Sequence, residues 1–163
     1  MKSMCYKICA VVSILIIMAC SEEKTSKVDI INDPFLESQD EIRSVVKGIA
    51  LDAETANLEG LTSIHLDSDK FTKFGPRKFE RQDAKSTNAS EAAHFGSAES
   101  LKMEIKDLKV DVFGDVGIAT YYPHVTSMKD GEPTSGSGRQ TLVFVKTEDG
   151  WKIVHEHGTI KQQ

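Results

Sequence analysis

Apolar residues follow two different periods along the chain, and the change of period divides it into two halves. In the first half, the segment SQDEIRSVVKGIALDAETANLEG spaces its apolar residues at i, i+3, i+4, i+7 and i+8. This spacing predicts a helix with one buried stripe, and Ser38 and Glu41 have the spacing of a capping box at its start. The stripe consists of Ile42, Val45, Val46, Ile49, Ala50 and Ala53.

Two shorter helices are predicted between this helix and the middle of the chain. Gly60 interrupts the first pattern, and a second helix is expected from about Leu58 to Leu66. The segment KFTKFG reads as a short extended piece. The alanine-rich segment TNASEAAHFGSAESL predicts a third helix, with Asn88 and Glu91 at capping-box spacing.

The second half is rich in β-branched and aromatic residues and predicts four strands joined by short turns. The apolar alternation shifts between Ile105 and Leu108, which indicates a bulge near Asp107. PTSGSG is expected to be a flexible loop before the third strand. Helices followed by a curved antiparallel meander predict an α+β fold with the helices packed on one face of the sheet. The four strand segments are KMEIKDLKVDVFG, VGIATYYPHVTSM, RQTLVFVKT and GWKIVHEHGTIK.

The N-terminus has the pattern of a secretory signal peptide. Lys2 and Lys7 precede an apolar run from Ile8 to Ala19. This run is too short for a stable transmembrane helix. The run ends in IIMAC, which resembles a bacterial lipobox and implies cleavage before Cys20 and acylation of that cysteine. Polar sequence starts at Ser21, which favours the lipobox over an ordinary signal peptide in which Cys20 is incidental.

Processing at Cys20 would define the mature protein and its location. Removing 19 of the 163 residues leaves 144, enough for a flexible lipid-anchored tether over residues 20–34 and one domain over residues 35–163. Because residue 21 is not Asp, the usual sorting pattern favours the outer membrane, with the domain facing the periplasm. Cys5 and Cys9 leave with the signal, so disulfides and zinc–cysteine sites are excluded. The net charge becomes about −7 without a basic cluster, which argues against nucleic-acid binding.

The motifs FGDVGIATYY, GRQTLVFVKTEDGWKIVHEHGT and LEGLTSIH resemble the SnoaL-like branch of the nuclear transport factor 2-like superfamily. The match is close from Gly114 to Thr159 and extends more weakly back to about Glu37. The resemblance implies a cone, in which a strongly curved sheet wraps a long helix and leaves a deep pocket. Members include isomerases, dehydratases, hydrolases, binding proteins and association domains, so the fold alone does not establish an activity.

Polar residues of the last two strands are the candidate ligand-binding residues. Strand alternation places Trp151, Ile153, His155 and His157 on one face, and the hairpin brings Arg139 diagonally close to His157. We expect this face to be concave, with the histidines and Arg139 at the polar end of the pocket. The resemblance implies the same, since the histidine and arginine matching His157 and Arg139 recur in the cavity or at its rim. The predicted ligand-binding residues are Arg139, His157, His155 and Tyr121.

Two catalytic alternatives are weaker on the sequence. His155 and His157 have the spacing of two zinc ligands, but a zinc site needs a third ligand. His124 is the candidate, and the sequence does not determine on which face of its strand it lies. An acid–base isomerase needs a buried aspartate, whereas Asp107 and Asp111 lie in an alternating charged stretch typical of an exposed strand face. We therefore expect no bound metal and no cofactor, and whether the protein is an enzyme remains open.

Three functions fit the sequence. The favoured one is binding of a small polar or anionic organic ligand in the pocket. The second is an isomerase, dehydratase or hydrolase that uses the same pocket. The third is an association module that dimerises through the outer face of the sheet, where Leu142 and Phe144 are the predicted apolar residues.

Overall fold

A computed structural model describes residues 28–76 and 78–161 of the protein. The predicted signal peptide and Cys20 lie outside these residues. None of the helices in the two described ranges is long and apolar enough to span a bilayer. The elements are α1 (Leu36–Glu54), α2 (Leu58–Ser63), β1 (Thr72–Phe74), α3 (Ala84–Phe95), β2 (Ser100–Phe113), β3 (Val116–Lys129), β4 (Glu132–Thr147) and β5 (Gly150–Ile160).

The five strands form one mixed sheet in the order β1-β5-β4-β3-β2. The predicted antiparallel meander runs from β2 to β5, and the short strand β1 adds to β5 in parallel. The predicted α+β fold, with N-terminal helices packed on a curved sheet, is confirmed. The prediction that PTSGSG is a loop is wrong, since residues 133–138 belong to β4 and pair with β3. A tight turn at Asp130 and Gly131, both with positive φ, lets pairing begin immediately after it.

Both predicted capping boxes are wrong. Helix α1 begins after Phe35, which has φ 46° and makes no side-chain cap. Glu41 instead accepts a hydrogen bond of 2.8 Å from Nε1 of Trp151. Helix α3 starts five residues earlier than the Asn88–Glu91 box requires, because Asp83 and Ser86 form the capping box there. Asn88 and Glu91 are therefore inside the helix, and their side chains are free to contact other elements.

The hydrophobic core lies between α1 and the inner face of the sheet. The predicted stripe is confirmed, with Ile42 and Val46 fully buried and their neighbours on the stripe partly or fully buried. Ile42 and Val46 pack in one cluster with Phe144, Trp151 and Ile153. The assignment of Leu142 and Phe144 to the outer face is wrong, since both side chains lie in this core.

Two β-bulges change which side chains face the core. The predicted bulge in β2 is confirmed by a register shift between Lys106 and Lys109, with Asp107 at φ 53°. A second bulge in β5 was not predicted. Phe144 pairs with Ile153, whereas the preceding Val143 pairs with His155, so Val154 is an extra residue. The alternation of β5 reverses at this point, which exchanges the faces of all the residues that follow.

Candidate functional site

The β5 bulge moves the predicted histidines to the outer face of the sheet. His157 pairs with Thr141 and is exposed, and the ring of His155 is hydrogen-bonded through Nδ1 to Oγ1 of Thr72 at 2.8 Å. The ring of Phe74 contacts both imidazoles edge-on, at centroid distances of 5.9 and 6.2 Å. The expectation that His155 and His157 line the concave face is therefore wrong.

Arg139 and Tyr121 lie on opposite faces of the sheet. Arg139 pairs with Thr159 and is exposed on the outer face. Tyr121 pairs with Gln140 on the inner face and is buried in the core. The four predicted ligand-binding residues are thus not brought into one cavity, and their role in binding stays a prediction.

Four ionisable side chains that no sequence pattern predicts to share a site meet between the helices and the sheet. We call His65, Lys73, Glu91 and Glu156 the buried ion cluster. They come from the segment after α2, from β1, from α3 and from β5. All four side chains are at most 17% exposed. Since ionised groups are seldom buried unless paired, the contacts among them decide whether the arrangement is stable.

Each charge in the buried ion cluster faces an opposite charge. His65 donates from Nε2 to Oε1 of Glu156 at 2.6 Å, and its Nδ1 lies 2.6 Å from Oδ1 of Asn88. Lys73 donates from Nζ to Oε2 of Glu156 at 2.8 Å and also to Oε1 of Glu91. With two cations and two carboxylates, the cluster is neutral overall when all four groups are ionised.

The surroundings shift the pKa values of the central pair in opposite directions. Burial alone would raise the pKa of Glu156, but the hydrogen bond from His65 and the charges of Lys73 and His65 bring it down to about 2. Burial alone would lower the pKa of His65, but its hydrogen bond to Glu156 and the charges of both carboxylates raise it. Both shifts favour the ionised pair.

The pKa values of two neighbouring groups are raised. Burial and the charge of Glu156 raise the pKa of Glu91, in spite of the opposing charge of Lys73. Burial, followed by the charges of Glu156 and Glu91, raises the pKa of the Tyr121 hydroxyl. Both shifts follow from burial close to the carboxylate of Glu156.

His65, Glu91 and Glu156 also have the composition of a metal site. One possible ligand atom from each lies within 4.8 Å of the others. Carboxylate and imidazole groups bind divalent cations, but Nζ of Lys73 already contacts both carboxylates. The ammonium group supplies the positive charge that a metal ion would bring, so this set does not fit a metal as it stands.

One end of the buried ion cluster reaches a polar cleft of about 520 Å³. His65 and Asn88 lie in its wall, and Lys152 at its side donates to the carbonyl oxygen of Ser63 at 2.8 Å. The cleft carries both signs of charge, since Asp67 and Asp149 also line it. The remaining lining residues are Thr62, Leu66, Ala84 and Thr147.

A second pocket, of about 330 Å³, surrounds Arg139 on the outer face of the sheet. Tyr122 and His124 share the outer face with Arg139, and Nδ1 of His124 lies 2.9 Å from Oγ of Ser137. Three cationic side chains and no carboxylate line this pocket. Its lining residues are Lys106, Tyr122, Pro123, His124, Ser137, Gly138, Arg139, Thr159, Ile160 and Lys161.

The helices on a curved sheet, with polar groups enclosed between them, define a cone-shaped α+β domain. Residues 42–161 match the SnoaL-like domain family, and the chain belongs to that family. No curated protein sequence matches the chain.

Solved structures of the nuclear transport factor 2-like superfamily share this fold. A proposed dehydratase from Streptomyces avermitilis superposes with a TM-score of 0.70 at 19% identity, over 78% of this chain and 98% of that one. A superfamily member from Salmonella enterica gives 0.71 at 17% identity, over 78% and 94%. A proposed aromatic ring hydroxylase from Novosphingobium aromaticivorans gives 0.69 at 15% identity, over 78% and 92%. At these identities the likeness concerns the fold alone.

Proposed function

We propose that this SnoaL-like domain binds a small organic anion in the pocket around Arg139. The observation that carries the proposal is the state of the guanidinium group. The Arg139 side chain makes no hydrogen bond or ion pair with any residue in the described ranges, although it lines a pocket of about 330 Å³. A planar fork of N–H donors in such a position suits a carboxylate, which accepts two parallel hydrogen bonds.

The rest of the pocket has the properties that an anionic ligand requires. Lys106 and Lys161 add positive charge, and Glu104, the partner of Lys106 at 3.2 Å, is not part of the lining. The ring of Tyr122, together with Pro123 and Ile160, supplies apolar surface for the body of the ligand. The proposed position is on the outer face of the sheet and differs from the cone interior that the family resemblance implies.

Calorimetric titration with benzoate and its neutral analogue benzamide tests this proposal. We expect benzoate to bind more tightly, and Arg139→Ala to weaken benzoate binding by roughly 10- to 150-fold, since hydrogen bonds to charged groups contribute about 1.5–3 kcal/mol. Lys129→Ala, an exposed cation of β3 outside the pocket, is the matched control. Equal binding of both compounds, or an unchanged affinity in Arg139→Ala, would contradict the proposal.

A specific observation also supports an enzyme as a second candidate. His65 combines a raised pKa, a buried carboxylate behind the ring and a position in the wall of the polar cleft. The imidazolium could donate a proton to a leaving hydroxyl if a substrate displaced the oxygen of Asn88 from Nδ1. The α-proton of the substrate would go to a carboxylate of the same cleft, Asp67 or Asp149. A structural neighbour named as a proposed dehydratase agrees with that reaction class. The loss of water from small β-hydroxy carbonyl compounds, measured by absorbance, should then require His65 and should be unaffected by Arg139→Ala.

We also propose that Cys20 is acylated and anchors the domain in the bacterial envelope. The support is the apolar run that ends in Ala19–Cys20, with polar residues directly after it. Cys20→Ser should release the protein into a soluble fraction or block its processing. A Cys20→Ser protein that fractionates with membranes at its mature mass would contradict the proposal.

A further inference from the structure

A group of exposed apolar side chains lies at the end of the described domain where the chain enters it. Ile31 is 72% exposed and Leu36 is 66% exposed, and both lie within nine residues of the first described residue. We call these residues and their neighbours the entry patch. It consists of Val28, Ile30, Ile31, Leu36, Phe113 and Val116, all at least 38% exposed.

The turn at residues 29–33 holds the isoleucines of the entry patch in place. Oδ1 of Asp29 accepts hydrogen bonds of 3.1 Å from the backbone N–H groups of Ile31 and Asn32. The N–H of Asp33 donates to the carbonyl oxygen of Asp29 at 2.9 Å, which closes the turn. The exposure of Ile30 and Ile31 is therefore a property of an ordered turn.

The turn between β2 and β3 adjoins this segment. A β-carbon placed on Gly114 would lie 3.8 Å from Cγ2 of Ile30. Phe113 and Val116 flank Gly114 and pair with each other across the hairpin. The apolar side chains from the two segments therefore form one surface, which the described part of the protein leaves open.

The chain that precedes this surface indicates what covers it. Eight peptide steps separate Cys20 from Val28, so the connection reaches at most about 28 Å. If Cys20 carries acyl chains, this reach holds the entry patch beside the bilayer at a high effective concentration. Contiguous exposed apolar surface of this kind marks a protein or membrane interaction site.

We propose that the entry patch is a membrane-contact surface that inserts into the lipid headgroup region and orients the domain on the bilayer. The inference rests on the proposed acylation of Cys20 and is independent of the ligand pocket. Asp29, Asp33, Glu37 and Asp115 are adjacent in sequence to residues of the patch, so the surface favours zwitterionic lipid and is repelled by anionic lipid. The sheet end with Lys129 then points away from the membrane.

Depth-dependent fluorescence quenching tests this orientation in the full chain, expressed in a bacterial host and purified from its membranes. Ile31→Cys is labelled with an environment-sensitive dye, and Lys129→Cys, at the far end of β3, is the matched control. Cys5 and Cys9 leave with the signal and an acylated Cys20 has no thiol, so the introduced cysteine takes the label. The vesicles contain phosphatidylcholine with a brominated-chain phosphatidylcholine as quencher.

We expect quenching at residue 31 to be roughly threefold or more above that at residue 129, since interfacial apolar groups lie about 5–10 Å into the headgroup boundary. Leu36→Asp should lower the difference. An acidic residue in the first turn of a helix is favourable, so this variant should not unfold α1. Replacing part of the phosphatidylcholine by phosphatidylglycerol should also lower the difference at low salt.

Three results would overturn the proposal. Equal quenching at the two positions would show that the patch does not face the lipid. Recovery of the protein in the soluble fraction would show that the tether does not bring it to a bilayer. A blue-shifted label at residue 31 that persists in detergent and grows with protein concentration would show that a second copy covers the patch. Benzoate binding is unaffected in each case, which separates this proposal from the ligand proposal.

Discussion

Polar side chains on the two faces of the sheet lie in opposite environments. On the inner face, Glu156 is enclosed and contacts two cations within 2.8 Å. On the outer face, Arg139 and His157 are exposed, and the described residues give Arg139 no ion pair. A buried charge must be compensated by the protein, whereas an exposed one is stabilised by water. The inner residues are therefore held for the stability of the fold, and the outer ones remain available to a ligand.

One extra residue decides which side chains belong to each face. Because Val154 bulges out of the pairing, Glu156 turns inward and His155 and His157 turn outward. The inward carboxylate is tolerated because Lys73 and His65 arrive from separate elements. The difference between the faces should appear most clearly in the unfolding free energies of variants in which one residue of either face is replaced.

The largest effect is expected for Glu156→Gln. The change keeps the size of the side chain but leaves His65 and Lys73 with only Glu91 as a counter-charge. Breaking a buried ion pair by removing one partner typically costs about 3–5 kcal/mol of unfolding free energy. Urea denaturation followed by the fluorescence of Trp151 measures the loss.

Glu104→Gln is the control for this change. Glu104 pairs with Lys102 and Lys106 on the exposed face of β2, and exposed ion pairs contribute about 0–1 kcal/mol. An equal loss of unfolding free energy in the two variants would mean that the buried ion cluster contributes no more to stability than an exposed ion pair.

Much of the fold can be predicted from the sequence, because the patterns that predict it are local. The stripe of α1, the four long strands and the bulge near Asp107 all follow from periods within a few residues. The third strand was placed too short because PTSGSG lacks apolar residues, yet pairing with β3 stabilises it as strand. The caps were misplaced for a related reason, since Ser38 and Glu41 have the right spacing but lie inside α1.

The site was less predictable because it depends on contacts between distant segments. Alternation alone put Glu156 on the outer face, and the bulge at Val154 has no distinct local signature. Asn88 and Glu91 have the spacing of a capping box, but in the structure they contact His65 and Lys73 from α3. The motif LEGLTSIH contains His65, but its hydrogen-bond partners lie 23 and 91 residues further along the chain.

The second prediction compares two glycines of neighbouring strands. A β-carbon on Gly117 would lie 2.2 Å from Cδ1 of the fully buried Ile42, whereas one on Gly136 would have no atom within 4 Å. Gly117→Ala should therefore destabilise the protein by about 1–3 kcal/mol through overpacking. Gly136→Ala should raise stability by about 0.4–1 kcal/mol, because alanine restricts the unfolded chain. Thermal unfolding of both variants checks the sign of each change.

The third prediction concerns pH. The pKa of His65 is raised in the folded protein, so its stabilisation is complete below the ordinary value of 6.5 and is lost as pH rises through the raised value. The pKa of Glu91 is also raised, so its contribution to stability is likewise lost as pH rises above about 4.5. The pKa of Glu156 is lowered to about 2, so its contribution is present above 4.5 and lost only in acid. Urea midpoints should thus fall more steeply above pH 6.5 in the wild type than in His65→Gln, and parallel curves would contradict the assignment.

The smallest effect is expected on the outer face. Arg139→Ala and His157→Ala remove exposed side chains, and surface substitutions of this kind usually change the unfolding free energy by less than about 0.5 kcal/mol. His155→Ala should cost somewhat more, because Thr72 loses its hydrogen-bond partner and β1 is held to the sheet by only three residue pairs. Urea denaturation of the three variants, alongside benzoate titration, separates stability from binding. A large loss of stability in Arg139→Ala would mean that its guanidinium supports the fold, and the free anion site proposed for the outer face would then have to be abandoned.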